Sequence, residues 1–200
     1  KILGPPGTGK TTKLLKYVQT FLKLGTPIEK IGYFAFTKKA ATEAKERMLK
    51  LFSQYGYRDL KHFQTLHSLA FTTLGMKKDN VMQAEHYEEI GKSLGVQVSV
   101  YRGGEEETGY IDSDSEYFNL INIARIKNIS IRDEYDTDLY SDDMDYNLVE
   151  IIEAELNNYK KSFALYDFTD MIEKFIGSEL CPKFDVVFID EAQDLSPLQW

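Results

Sequence analysis

Apolar residues recur at helical spacing near the front of the chain. Leu14, Leu15, Val18, Phe21 and Leu22 share one face, which predicts a helix from Thr11 to Leu24. Gly25 stops it and Thr26-Pro27 turns the chain. The run Ile31-Gly32-Tyr33-Phe34-Ala35-Phe36 is compact and apolar, the pattern of a buried parallel strand. Thr37 then caps a second helix, Lys38 to about Phe52, with Ala40, Ala41, Ala44, Met48, Leu49 and Phe52 on one face. Residues 61–68 read as a short strand, a turn and the start of a helix reaching Leu74. Later segments predict helices over Val81–Leu94, Leu120–Ile131, Asn147–Tyr166 and Phe168–Ile176, then a strand over Phe184–Ile189. Strand–helix alternation predicts an α/β fold, a parallel sheet with helices on both faces. The change of character after Gly75 predicts that about 76–160 form a mostly helical inserted subdomain.

The most specific chemistry lies ahead of the first helix. Gly4-Pro5-Pro6-Gly7-Thr8-Gly9-Lys10-Thr11-Thr12 fits G-x-x-x-x-G-K-[ST], the phosphate-binding loop of P-loop NTPases. Glycines let successive amide N–H groups turn inward on a phosphate, and the helix that follows adds its positive end. Lys10 can reach the β- and γ-phosphates, and the Thr11 hydroxyl can sit on Mg²⁺. Lys1-Ile2-Leu3 are read as what remains of the strand such a loop follows.

A second cluster closes the chain. The apolar strand at Phe184–Ile189 ends in Asp190-Glu191-Ala192-Gln193-Asp194. Ligands of α/β sheets collect at the carboxyl ends of strands, so this cluster and the Gly4 loop are expected close in space. Asp190 suits a Walker B aspartate holding Mg²⁺, and Glu191 a carboxylate that orients or deprotonates the attacking water. Lys10 and the metal would supply the larger electrostatic effect on the γ-phosphoryl. The Asp-rich stretch Asp133–Asp145 invites a calcium reading, which fails. An EF-hand register starting at Asp136 has Tyr140, Ser141 and Asn147 at its fifth, sixth and twelfth positions.

Composition narrows the classes. The apolar fraction of 42% is ordinary for a globular chain, and no apolar run approaches the roughly 18 residues of a membrane span. One cysteine, Cys181, excludes an internal disulfide and suits a reducing cytoplasm. The net charge of −8 argues by itself against nucleic acid, but the distribution is uneven. Residues 1–62 carry 13 Lys/Arg against 4 Asp/Glu, whereas 105–155 carry 16 Asp/Glu against 3 Lys/Arg. The basic part can still bind phosphates. Within the acidic part, Gly103-Gly104 and Gly109 break the chain.

Taken in order, these pieces resemble the superfamily 1A helicases of the UvrD/Rep/PcrA type. Gly4–Thr12 resembles helicase motif I. Ala35-Phe36-Thr37-Lys38-Lys39-Ala40-Ala41 is similar to motif Ia, with Lys38 where the family usually has Asn. Thr65-Leu66-His67-Ser68 resembles motif Ib, and Tyr166-Asp167-Phe168-Thr169-Asp170-Met171 the stretch upstream of motif II. Asp190-Glu191-Ala192-Gln193-Asp194 is similar to motif II, D-E-x-Q-D. The resemblance implies a RecA-like ATP-binding domain 1A over 1–75, a helical domain 1B over 76–160, and a return to 1A over 161–200. It implies ATP and Mg²⁺ as nucleotide and cofactor, and single-stranded or partly duplex DNA as partner. The DNA track would be lined by Phe36, Thr37, Lys38, Thr65 and His67. Gln193 would link the γ-phosphate state to those DNA-binding elements.

The chain opens at the lip of the phosphate loop without Met and stops at Trp200. It reads as the N-terminal motor fragment of an ATP-dependent helicase or translocase, with 3′–5′ polarity implied by the family. A second RecA-like domain would supply arginines that complete the site, so the fragment alone is expected to have little or no activity. Two rivals share the motifs: a helicase subunit of the RecB/AddA helicase–nuclease kind, and a non-catalytic, ATP-gated single-strand binder.

Overall fold

A computed structural model describes residues 1–5, 7–101, 112–113, 115–137, 139–140 and 143–200. Pro6 of the phosphate loop and the glycine breaks at Gly103-Gly104 and Gly109 lie outside the described residues. The chain divides into two compact units. The first holds Lys1–Leu69 and Leu180–Leu195, and the second the described residues between Ala70 and Glu179 together with Ser196–Trp200. The segment 161–179, expected with domain 1A, therefore packs with the second unit.

The first unit is built on a three-stranded parallel sheet. Helix α1 (Lys10–Lys23) precedes strand β1 (Ile31–Phe34), helix α2 (Lys38–Leu51) follows it, and β2 (Phe63–Gln64) and β5 (Val186–Ile189) flank β1 on either side. Tyr33 faces Phe63 across one ladder, and Phe34 faces Ile189 across the other. All β1 residues are buried, as a central strand between flanking helices requires. Leu15 and Val18 of α1 and Ala41, Ala44 and Met48 of α2 close the core around Ile31, Tyr33 and Phe63. This is the expected α/β architecture, a parallel sheet flanked by helices.

Several expected boundaries move. The strand read as Ile31–Phe36 ends at Phe34, because the Thr37 side chain already accepts from the Ala40 amide to begin α2. The strand read as Phe184–Ile189 starts at Val186, and Lys1–Leu3 take no part in the sheet.

The second unit is mostly helical. Helix α3 (Leu66–Thr73) leads into it, followed by α4 (Ala84–Leu94), α5 (Glu116–Lys127), α6 (Ile131–Tyr135), α7 (Tyr146–Phe163) and α8 (Phe168–Gly177). A two-residue antiparallel ribbon joins β3 (Val100–Tyr101) to β4 (Asp112–Ser113). Here tertiary pairing overrides helical periodicity. Val81 bridges Tyr166, with the Tyr166 amide donating to the Asn80 carbonyl and the Met82 amide to the Tyr166 carbonyl. The helix read from Val81 thus begins at Ala84, and the one read through Tyr166 ends at Phe163, with Ala164 left-handed. The helix read as Leu120–Ile131 runs instead over Glu116–Lys127. Asn128, at φ 56, ends it before Ser130 caps α6.

Asp167 and Asp170 sit in a buried ion cluster of this unit. Arg125 of α5 donates to Asp167 at 2.7 Å and to Asp170 at 2.6 Å, while Lys160 of α7 donates to the same two oxygens at 3.0 and 2.9 Å. Asp167 also caps α8 through the Asp170 amide. Burial opposes the charge on Asp167, but Arg125 and Lys160 outweigh it and hold the carboxyl down at about 2. Several acidic residues of the Asp-rich stretch are engaged locally: Glu134 is fully buried against Lys127 and Tyr140, Asp136 pairs with Arg132, and Asp145 caps α7.

Candidate active site

The phosphate loop turns directly into α1. Gly7 and Gly9 have φ of 78° and 81°, the left-handed region where a Cβ is strained. Gly9 is the N-cap of α1 and offers no side chain to its first amides, so those donors stay available to an anion. Thr8 donates to the Pro5 carbonyl at 2.7 Å, and the Lys10 amine to the Gly4 carbonyl at 2.9 Å, closing the loop on itself.

The opposite side of the site comes from the far end of the chain. The Asp190 amide donates to the Phe34 carbonyl, extending the β1–β5 ladder by one bond and bringing Asp190 to the carboxyl end of the sheet. Thr11 donates its hydroxyl proton to Asp190 Oδ2 at 2.8 Å, across 179 positions of sequence. Lys10 Nζ lies 3.8 Å from Glu191 Oε2. Gln193 donates to the same Glu191 oxygen at 2.5 Å. Thus Lys10, Thr11, Asp190, Glu191 and Gln193, predicted from two distant motifs, form one cluster. Gly4, Pro5, Gly7, Thr8, Gly9 and Thr12 line its exposed rim. Glu191 itself is left-handed, at φ 51°. A non-glycine residue held there stores strain, which the 3₁₀ turn after it maintains.

The chemistry of the cluster is that of a cationic phosphate grip beside oxygen donors. The Thr11 hydroxyl and the Asp190 carboxylate lie side by side, a donor set suited to a hard cation such as Mg²⁺. Asp190 is only 4% exposed, so its oxygens need partners. One of them escaped the sequence reading. Tyr33, fully buried on β1, donates its hydroxyl to Asp190 Oδ2 at 2.7 Å. Burial, and then the Asp190 acceptor, push its phenol well above the ordinary range, so it remains a donor. The available signal was a polar-tipped aromatic inside an otherwise apolar strand, which must find a partner when buried.

The expected DNA-contacting residues follow the two other strands. Phe36 and Thr37, both half-buried, and the exposed Lys38 leave the end of β1. Thr65 and His67 leave the end of β2, next to β1 in the sheet. Thr65 is buried, and its hydroxyl caps α3 through the Ser68 amide at 3.1 Å. His67 is half-buried.

The chain matches the UvrD/REP helicase N-terminal domain over residues 1–200. It is 28% identical to a putative ATP-dependent DNA helicase, YjcD, of Bacillus subtilis (strain 168), over 100% of this chain. It is 27% identical to a probable DNA helicase of Mycoplasma pneumoniae over 97% of this chain. Both relatives are longer, and the chain spans 27% and 39% of their lengths. The family match runs from the first residue to the last, over the loop and the acidic turn that the fold unites: the chain belongs to the UvrD/REP helicase N-terminal domain family.

Proposed function

We propose that this chain is the ATP–Mg²⁺-binding part of a DNA helicase or translocase motor, and that it also contacts single-stranded DNA. The observation that carries the reading is the bond from Thr11 to Asp190, which joins the phosphate loop to the acidic turn. The names of the two relatives, both DNA helicases, support the same activity for the whole protein. We assign residues 1–75 and 161–200 to the RecA-like domain and 76–160 to the insertion, with 161–179 packing in the same compact unit as the insertion. Among the described residues no helix is long and apolar enough to cross a membrane. The single exposed cysteine, Cys181, suits the cytoplasm.

Each residue has a role that its position supports. The left-handed Gly7 and Gly9 open the loop backbone around the phosphates, and the free amides of α1 receive them. Lys10 exchanges the Gly4 carbonyl for the β- and γ-phosphate oxygens. Thr11 and Asp190 would hold Mg²⁺, which when bound neutralises charge on the phosphates. Glu191 orients a water and accepts its proton, steadied by Gln193. Phe36 offers a face for a base to stack on, while Thr37, Lys38 and His67 contact the strand's backbone; Thr65, buried with its hydroxyl on the Ser68 amide, would act through the β2–α3 turn that it caps.

Lys10→Ala in the full-length protein tests this reading. Nucleotide binding and DNA-stimulated ATP turnover should fall by orders of magnitude, while single-strand binding without nucleotide stays near wild type. Undiminished turnover would refute the proposed site. A wild-type protein with no turnover at all would leave only the single-strand binder.

A further inference from the structure

Strand β1 carries a single hydroxyl into the buried interior, that of Tyr33. Its strand neighbours Ile31 and Phe34, and Ala35 just past the strand's end, are apolar and buried, so packing alone asks for no polar atom here. The Tyr33 ring lies flat against Phe63, centroids 5.2 Å apart and planes 8° apart, which fixes the direction of its C–O bond. The hydroxyl donates to Asp190 Oδ2, 2.7 Å away. The same oxygen accepts from Thr11, and Oδ1 accepts from the Glu191 amide at 3.1 Å.

We propose that Tyr33 is a positioning residue for the metal-binding carboxylate: its buried hydroxyl locks the orientation of Asp190 independently of the phosphate loop. The inference rests on the ATP–Mg²⁺ reading above. Thr11 belongs to the loop that receives the nucleotide, and its oxygen is itself a metal ligand on that reading. Tyr33 belongs to the central strand of the sheet, paired on both sides, and does not depend on the loop's state. A carboxylate held this way reaches the cation already aligned, so less ordering is lost on binding. Groups that orient metal ligands in this manner typically change metal affinity by about 10–100-fold.

The test is Tyr33→Phe in the full-length protein. Phenylalanine keeps the ring against Phe63 and deletes only the hydroxyl. Binding of a fluorescent ATP analogue is titrated with Mg²⁺, and Mn²⁺ binding is followed by electron paramagnetic resonance. The half-saturating metal concentration should rise roughly tenfold. Nucleotide affinity at saturating metal should stay close to wild type. Tyr87→Phe, a buried tyrosine of the second unit, should leave the metal midpoint unchanged. Thermal unfolding separates the rival explanation: a Tyr33→Phe protein with a lowered Tm and an unmoved metal midpoint overturns the proposal, because the hydroxyl then serves only the fold. Failure of the wild-type protein to bind Mg²⁺-nucleotide would instead overturn the reading of the site itself.

Discussion

Each of the two units buries an aspartate, and they solve the resulting problem in opposite ways. Asp167, 7% exposed in the helical unit, is met by the cations Arg125 and Lys160. Asp190, 4% exposed at the end of the sheet, receives its described hydrogen bonds from neutral donors: two hydroxyls and one amide. Burying a carboxylate is costly unless its oxygens are satisfied, and both arrangements satisfy them. Only the first cancels the charge. The second keeps the oxygens in place and leaves a negative charge for a ligand to neutralise. A buried anion solvated by neutral donors is thus a candidate cation site, whereas one locked between two cations ties helices together.

This contrast can be broken experimentally. The largest effect is expected from Arg125→Met, which leaves Asp167 and Asp170 sharing Lys160. Removing one partner of a buried ion cluster should cost about 3–5 kcal/mol in chemical denaturation. The acid limb should respond as well. A carboxyl held at about 2 contributes stability that is fully present above its unfolded value of 3.8 and is lost as pH falls toward 2. Without Arg125 that contribution shrinks, so the variant starts less stable and should reach its acid midpoint at higher pH, seen by circular dichroism across an acid titration. An unchanged acid midpoint would show that Asp167 does not need its cations.

A smaller stability change is expected from Asp190→Asn. The Tyr33 and Thr11 hydroxyls can still donate to the amide oxygen, but the amide nitrogen meets the Glu191 N–H donor to donor. That conflict should cost about 1–2 kcal/mol, while the Mg²⁺ dependence of nucleotide binding disappears. A collapse as large as that of Arg125→Met would mean that the Asp190 charge serves the fold. The smallest effect is expected from Thr37→Ala, which removes the cap of α2 and should cost about 0.5–1 kcal/mol in the same denaturation assay. It touches neither carboxylate and calibrates the scale for both.

Sequence patterns reached furthest where local rules and tertiary demands agree. The Gly4–Thr12 loop, α1 with its stop at Gly25 and the Thr37 cap were all legible, because each depends on a few adjacent residues. Helix ends in the second unit were not. The Val81–Tyr166 bridge removes residues from two helices whose periodicity runs on regardless, and no window of adjacent residues contains both partners. The ion cluster was hidden for the same reason: Asp167 and Asp170 were visible as a motif, but Arg125 and Lys160 lie on two other helices.

For the candidate site, sequence alone determined the chemical parts: a loop of glycines ending in Lys10 and Thr11, and a pair of carboxylates after an apolar strand. These are local because a phosphate grip and an acidic turn are each made by a few consecutive residues. That the two lie close was expected from the carboxyl-end rule, but only the tertiary structure decided which atoms meet, since their contact depends on parallel strands β1 and β5 from distant parts of the chain pairing in one register. It also decided that a buried tyrosine completes them. A hydroxyl acquires its meaning from the acceptor within its reach, and where its oxygen lies is set by ring packing, which a linear pattern does not encode.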